Sequence, residues 1–111
     1  MPKEAAVFAK IGDITGAKVV LEVYYCELTV DPAEVAANVG AEQTFTLTGL
    51  AVGDMVFVNP GIACPANLVI GSARVSAADT LAVSFTNNYA ATTAVNMGTS
   101  TWKVLVIRPK A

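Results

Sequence analysis

The stretch TWKVLVIR, residues 101–108, has an apolar side chain at every second position. Trp102, Val104 and Val106 share one side of an extended chain, because successive side chains of a β-strand point to opposite faces. The same two-residue period is found in TLAVSFTN, residues 80–87, and in QTFTLTG, residues 43–49. This period predicts β-strands that place one face in a core.

Turn-forming residues separate six predicted strands. Asp-Pro, Gly-Asp and Asn-Pro-Gly steps interrupt the apolar runs, and such steps mark turns. Residues 33–40 are predicted to form one short helical turn, and residues 76–79 either a turn or a very short helix. The predicted strands cover residues 18–30, 43–49, 55–58, 67–75, 80–87 and 101–108. Strands at this spacing, without long helices between them, indicate an all-β fold: a small antiparallel β-sandwich or a partly open, Ig-like barrel.

One domain accounts for most of the chain. Its 111 residues are the size of a single core. Residues 18–111 carry the strand pattern and are predicted to form one β-sandwich domain. Residues 1–17 show no clear period, so they form either a frayed terminus or an extended N-terminal arm that orders against a partner, and we predict the arm. Its apolar side chains Val7, Phe8 and Ile11 are candidate interface residues.

The charge content is low and uneven. Charged residues make up 14 % of the chain, and seven Lys and Arg stand against nine Asp and Glu, for a net charge of −2. Nucleic-acid binding is not expected, because no basic run is present to neutralise phosphates. From Gln43 to Thr101 the only charges are Asp54, Arg74 and Asp79. A surface this poor in charge is typical of a subunit that its neighbours cover.

Neither a membrane segment nor a disulfide is predicted. The most apolar stretch, residues 18–30, contains two glutamates and is far shorter than the ~20 apolar residues that a spanning helix needs. The first residues lack the apolar core of a secretory signal, so we expect the protein to be made and used in a cytoplasm. Cys26 lies in an apolar strand and is expected to be a small core residue, and both Cys26 and Cys64 are expected to be free thiols.

Catalytic chemistry is not indicated. The chain has no histidine, which excludes Ser-His-Asp and Cys-His nucleophiles and almost every familiar zinc site. Asp54 and Asp79 could form a pair of carboxylates for acid–base work. Each precedes a strand in a turn, however, where an Asp side chain commonly accepts backbone N–H groups. We therefore predict no enzyme, no catalytic residue, no cofactor and no metal.

Two further residues are candidates for an interface. Tyr24 and Tyr25 are adjacent and point to opposite faces of a strand, so one of them is available to a partner, and Tyr24 is the candidate. Arg74 is the only cation between Lys18 and Lys103. It either pairs with a nearby carboxylate, such as Asp79, or forms a salt bridge between subunits.

The aromatic residues argue against a sugar-binding module. Such a module needs several exposed aromatic rings on one face. Four of the eight aromatic residues are assigned to core faces by the strand period: Phe45, Phe57, Phe85 and Trp102.

Three segments of the chain have a familiar pattern: LTVDPAEVAANVGAEQTFTLTGLAVGDMVFVNPG (residues 28–61), ARVSAADTLAVSFTNNYA (73–90) and TWKVLVIR (101–108). They resemble a group of small β-rich proteins and carboxy-terminal domains of tailed phages. The shared pattern has a Gly-Leu-x-x-Gly-Asp turn at 49–54, a strand, then RVSAADTL at 74–81 and an Asn, here Asn87, at the end of the next strand. The resemblance covers residues 28–108 and brings no catalytic motif.

The resemblance implies a structural virion protein. It would be a capsid decoration (cement) protein that binds the outer capsid surface, stabilises the shell by bridging capsid subunits, and is assembled in the host cytoplasm. The expected partners are the major capsid protein and copies of the chain itself, as a homotrimer, with no nucleic acid and no membrane. The alternatives are a tail, neck or fibre-associated module of a phage, and a host-surface or carbohydrate-binding β-sandwich.

Overall fold

The structure, a computed structural model, describes residues 6–15, 20–88 and 93–110, with the backbone alone for 6–15, 20 and 110. Every segment predicted as a strand forms one. The strands are β1 (Ala6–Thr15), β2 (Val20–Val30), β3 (Gly40–Thr46), β4 (Met55–Asn59), β5 (Leu68–Ala77), β6 (Thr80–Asn87) and β7 (Ser100–Lys110).

The strands form two antiparallel sheets. The first sheet has the order β1-β2-β7-β4 and the second has the order β3-β6-β5. All neighbouring strands in both sheets are antiparallel. The all-β prediction, with a small antiparallel β-sandwich as its architecture, is confirmed. The backbone of residues 6–15, within the segment predicted as an arm, pairs along β2 as an edge strand.

The core lies between the sheets and is centred on Trp102, which is fully buried. Its ring centroid lies 6.1 Å from that of Phe85 and 6.4 Å from that of Phe45, both in tilted arrangements. The prediction that these three aromatic residues belong to the core is confirmed. The prediction for Phe57 is wrong: its side chain is 56 % exposed, because Val56 and Val58 take the core side of β4.

The predicted helical turn at residues 33–40 is also wrong. Val35 instead forms an isolated antiparallel bridge with Val95, with backbone hydrogen bonds of 2.8 and 2.9 Å. A turn at Asn38, where φ is 57°, leads into β3.

Asn87 is fully buried and its side-chain amide donates to the carbonyl groups of Val35 and Thr93, both at 3.0 Å. This amide holds the two loop segments against the end of β6.

The turn carboxylates have the role predicted for them. Oδ1 of Asp79 accepts a hydrogen bond from the N–H of Gly49 at 2.9 Å, and Oδ2 of Asp54 accepts one from the N–H of Ala51 at 2.9 Å. Gly53 has a φ of +103°, a conformation that residues with a side chain rarely adopt. Together these contacts fix the turn that leads into β4.

Both cysteines are free, as predicted. Cys26 is fully buried on the core side of β2, and this burial raises the pKa of its thiol to about 11. Cys64 is exposed. Across the described ranges no helix is long and apolar enough to cross a membrane.

Candidate functional site

The outward side of the first sheet is apolar. Trp102, Val104 and Val106 of β7 face the core, so alternation sends Leu105 and Ile107 outward. The same alternation on β2 and β4 places further apolar side chains beside them. We call this surface the apolar face: Leu21, Val23, Tyr25, Met55, Phe57, Leu105, Ile107 and Pro109.

Strand register joins these side chains into continuous rows. Leu105 lies opposite Tyr25 on one side and opposite Phe57 on the other. In the next row Ile107 lies between Val23 and Met55. Directly opposed side chains on neighbouring strands are in contact distance. Neither row contains a charge, and Phe57, Met55 and Leu105 are 56 %, 46 % and 37 % exposed.

A polar row borders the apolar face at one end. Lys103 lies between Glu27 and Asn59 in the register of the sheet. The hydroxyl of Tyr25 donates to Oε2 of Glu27 at 2.9 Å, and this hydrogen bond to a carboxylate raises the pKa of Tyr25. The polar rim and apolar centre resemble the layout of protein–protein interfaces.

An ion pair supports the apolar face from the core side. The guanidinium of Arg108 donates to both oxygens of Asp54 at 2.8 Å and to the carbonyl of Gly49 at 2.7 Å. It also lies 4.9 Å from the centroid of the Tyr24 ring. Arg108 is on β7 and Asp54 immediately precedes β4, so the pair fixes the start of β4 against β7.

The charge state of Asp54 follows from this contact. Its burial alone would raise the pKa, but the hydrogen bonds from Arg108 and from the Ala51 N–H, with the positive charge of Arg108, lower it below the ordinary value. The same hydrogen bond raises the pKa of Arg108. Both groups are therefore charged at neutral pH.

A groove opens beside the apolar face, where β4 and β5 approach each other. Its volume is about 480 Å³. Val56 and Val58 line it from β4, and Ile70 and Ala73 line it from β5. Phe57 belongs to both the groove and the apolar face, so the two surfaces are continuous.

The sequence-based interface candidates do not all lie on this surface. Tyr24 packs against the core, and its hydroxyl donates to Oε1 of Glu22 at 2.8 Å. Tyr25 takes the outward position instead. Val7, Phe8 and Ile11 lie on β1, and their side chains are outside the described part of the structure.

Arg74 lies on the other sheet. Its Nε and Nη2 donate to the two carboxylate oxygens of Glu42, both at 2.9 Å. The suggestion that Asp79 is its partner in the chain is wrong, because Asp79 lies in the β5–β6 turn and binds the N–H of Gly49. The hydrogen bond from Arg74 lowers the pKa of Glu42.

Within the described residues, no group of three or more His, Cys, Asp or Glu side chains could hold a metal ion. The comparisons with known proteins found no matching family model, no similar curated protein and no similar solved structure. The geometry and the residues therefore carry the functional argument.

Proposed function

We propose that this chain is a structural protein of a tailed-phage virion, a capsid decoration (cement) protein that binds the outer surface of the capsid. The observation that carries the proposal is the apolar face, three strands wide and uncharged in its two central rows. Soluble monomers rarely expose a contiguous apolar patch of more than a few hundred Å². A partner surface that covers this face accounts for it.

The proposed mechanism is mechanical. Burial of apolar surface stabilises a contact by roughly 25 cal/mol per Å², but association also costs translational and side-chain freedom. A copy that contacts two neighbouring capsid subunits opposes their separation, because separating them would expose the apolar face to water. The partner in this proposal is the major capsid protein, and the location is the outer surface of the virion.

Loss of shell binding on polar substitution tests the proposal. Leu105→Thr keeps a β-forming residue in the centre of the apolar face but shortens and polarises its contact. We expect binding of the purified chain to shells that lack it to weaken by on the order of 10-fold, the loss of one well-buried leucine contact. Equilibrium sedimentation of shells with bound chain measures this.

The matched control is Val69→Thr. Val69 is outward and 46 % exposed on β5, in the second sheet, so the change removes a similar amount of exposed apolar surface elsewhere. Its shell binding should equal that of the unsubstituted chain. If both variants bind equally well, the apolar face is not the contact surface.

A second candidate is a carbohydrate-binding module of a tail or fibre. Tyr25 and Phe57 are the specific observation in its favour, because they flank Leu105 in one outward row and could form a platform for a sugar ring. Glycan-array binding that Phe57→Ala abolishes would support it. Binding to shells without any glycan signal would support the decoration function instead.

A further inference from the structure

Four strand edges border the two sheets, and three of them carry features that discourage pairing with another chain. The β1 strand contains Lys10 and Asp13 and has a bulge between Lys10 and Gly12. The β3 strand contains Glu42. The β5 strand contains Arg74 and two register shifts. Charges and bulges of this kind are how β-proteins protect exposed edges.

The β4 edge has none of these features. Its sequence, MVFVN at Met55–Asn59, contains no charge, no proline and no glycine. Its register with β7 runs without a shift from Met55 to Asn59. No strand among the described residues pairs with its other side. An uncharged, regular edge is a template for a further strand.

The β4 sequence is complementary to itself. If two copies run antiparallel about a two-fold axis at Phe57, Val56 lies opposite Val58 of the second copy and Phe57 lies opposite Phe57. Directly opposed side chains point to the same face of the sheet, so valine meets valine on the core side and the two aromatic rings meet on the outside. Since the strand has no charge, like charges do not meet in this register.

The groove lies beside this edge. It lies between β4 and β5, and its walls include Val56, Val58, Ile70 and Ala73. These are side chains on the core side of their strands, reachable here because the two sheets do not close at this seam. Valine side chains from the β4 of a second copy would extend the core into this opening.

We propose that β4 pairs with the β4 strand of a second copy of this chain, which makes a two-fold dimer with one continuous eight-stranded sheet. Two four-stranded sheets joined in this way place two apolar faces side by side on one surface. The inference goes beyond the decoration function and does not depend on it. A two-fold dimer also differs from the trimer that the phage resemblance implies.

The mass of the isolated chain in solution tests this pairing. Sedimentation equilibrium of the unsubstituted chain should give twice the 11.5 kDa chain mass. Phe57→Lys puts two like charges opposite each other at the two-fold axis, so the dissociation constant should rise by on the order of 100-fold. The variant should remain folded, because the side chain is outward and more than half exposed.

Leu105→Lys is the matched control. Leu105 lies in the same outward row as Phe57 but on the interior strand β7. Edge pairing predicts that its dimer dissociation constant stays within about 3-fold of the original. Face-to-face packing of two apolar faces predicts that both lysine variants become monomers, which would overturn the proposal.

Mixing two variants of opposite charge at position 57 distinguishes a loss of dimer from a loss of fold. Phe57→Lys and Phe57→Asp chains should each be monomeric, and their mixture should form a mixed dimer, because positions 57 of the two copies are neighbours in the proposed register. Circular dichroism and the fluorescence of the buried Trp102 check the fold of each variant. An original chain that is monomeric at millimolar concentration, a trimer mass, or a mixture that stays monomeric would contradict the proposal. Shell binding by a monomer would leave the decoration function standing while this inference fails.

Discussion

The two outward sheet surfaces of this sandwich follow the same alternation but have opposite chemistry. The first sheet shows the apolar face. The second sheet shows a polar face, whose outward positions include Glu42, Thr44, Thr46, Ser72, Arg74, Thr80, Ser84 and Thr86. Packing in the core determines only the inward side chains of each strand, so the outward side chains of the two sheets differ for a reason other than the core.

The polar face is completed within the chain. The Arg74–Glu42 pair joins β5 to β3 and thus spans β6, which lies between them. Ala82 of β6 is in register with Arg74. Its neighbours Leu81 and Val83 face the core, so Ala82 is in an outward position, and yet it is fully buried. The chain's own side chains therefore cover the centre of the second sheet. Among the residues that the structure describes, no comparable contact covers Leu105 and Phe57 at the centre of the apolar face.

The largest expected effect comes from removing the ion pair that supports the apolar face. Asp54→Ala leaves the guanidinium of Arg108 and the N–H of Ala51 without their acceptor. Because the Asp54 side chain is almost completely buried, we expect a loss of about 3 kcal/mol in the free energy of unfolding. Urea unfolding measures it. Asp31→Ala, at an exposed acid, is the control and should change it by less than about 0.5 kcal/mol.

The same ion pair predicts how stability depends on pH. The native pKa of Asp54 is lower than its ordinary value of 3.8. As the pH falls below about 4, the unfolded chain takes up a proton at Asp54 before the native chain does. The contribution to stability is therefore complete above that pH and is lost as the pH falls through the native pKa. The free energy of urea unfolding should differ less between pH 3 and pH 6 in Asp54→Asn than in the original chain. Equal differences in the two chains would mean that Asp54 is not the titrating group.

The smallest effect is expected on the polar face. Arg74→Ala removes an exposed ion pair, and exposed pairs contribute about 0.2–1 kcal/mol. We expect a loss of stability within that range by urea unfolding and no change in the sedimentation mass. A fall in mass would instead assign Arg74 to a salt bridge between subunits, the alternative that the sequence left open.

Strands with clear alternation could be predicted from the sequence, and so could most of the core. The period in residues 80–87 and 101–108 identifies Phe85 and Trp102 as inward residues. Phe57 could not be placed in this way, because its neighbours Val56 and Val58 are apolar too and a short apolar strand does not show which side is buried. This two-sided apolar pattern could nevertheless have indicated the apolar face. An antiparallel sheet commonly has one face in water, so strands that are apolar on both sides indicate that the second face is covered as well.

Contacts between distant strands were beyond sequence reasoning. Arg108 and Asp54 meet only because β4 lies beside β7 at the edge of the first sheet, and Arg74 reaches Glu42 only because β6 lies between their strands. Strand order is set by the packing of the whole sandwich and has no local sequence signal. The turn role of Asp54 and Asp79 was predictable because it depends on the neighbouring backbone.

The most direct test of the proposed role is to count copies of this chain in purified virions by quantitative mass spectrometry, relative to the major capsid protein. We expect a ratio near one to one, or a simple fraction of it, because a protein that covers its apolar face on the shell repeats with the shell lattice. A few to a few dozen copies per particle would assign the chain to the neck, tail or fibre. Its absence from the particle would contradict the virion function altogether.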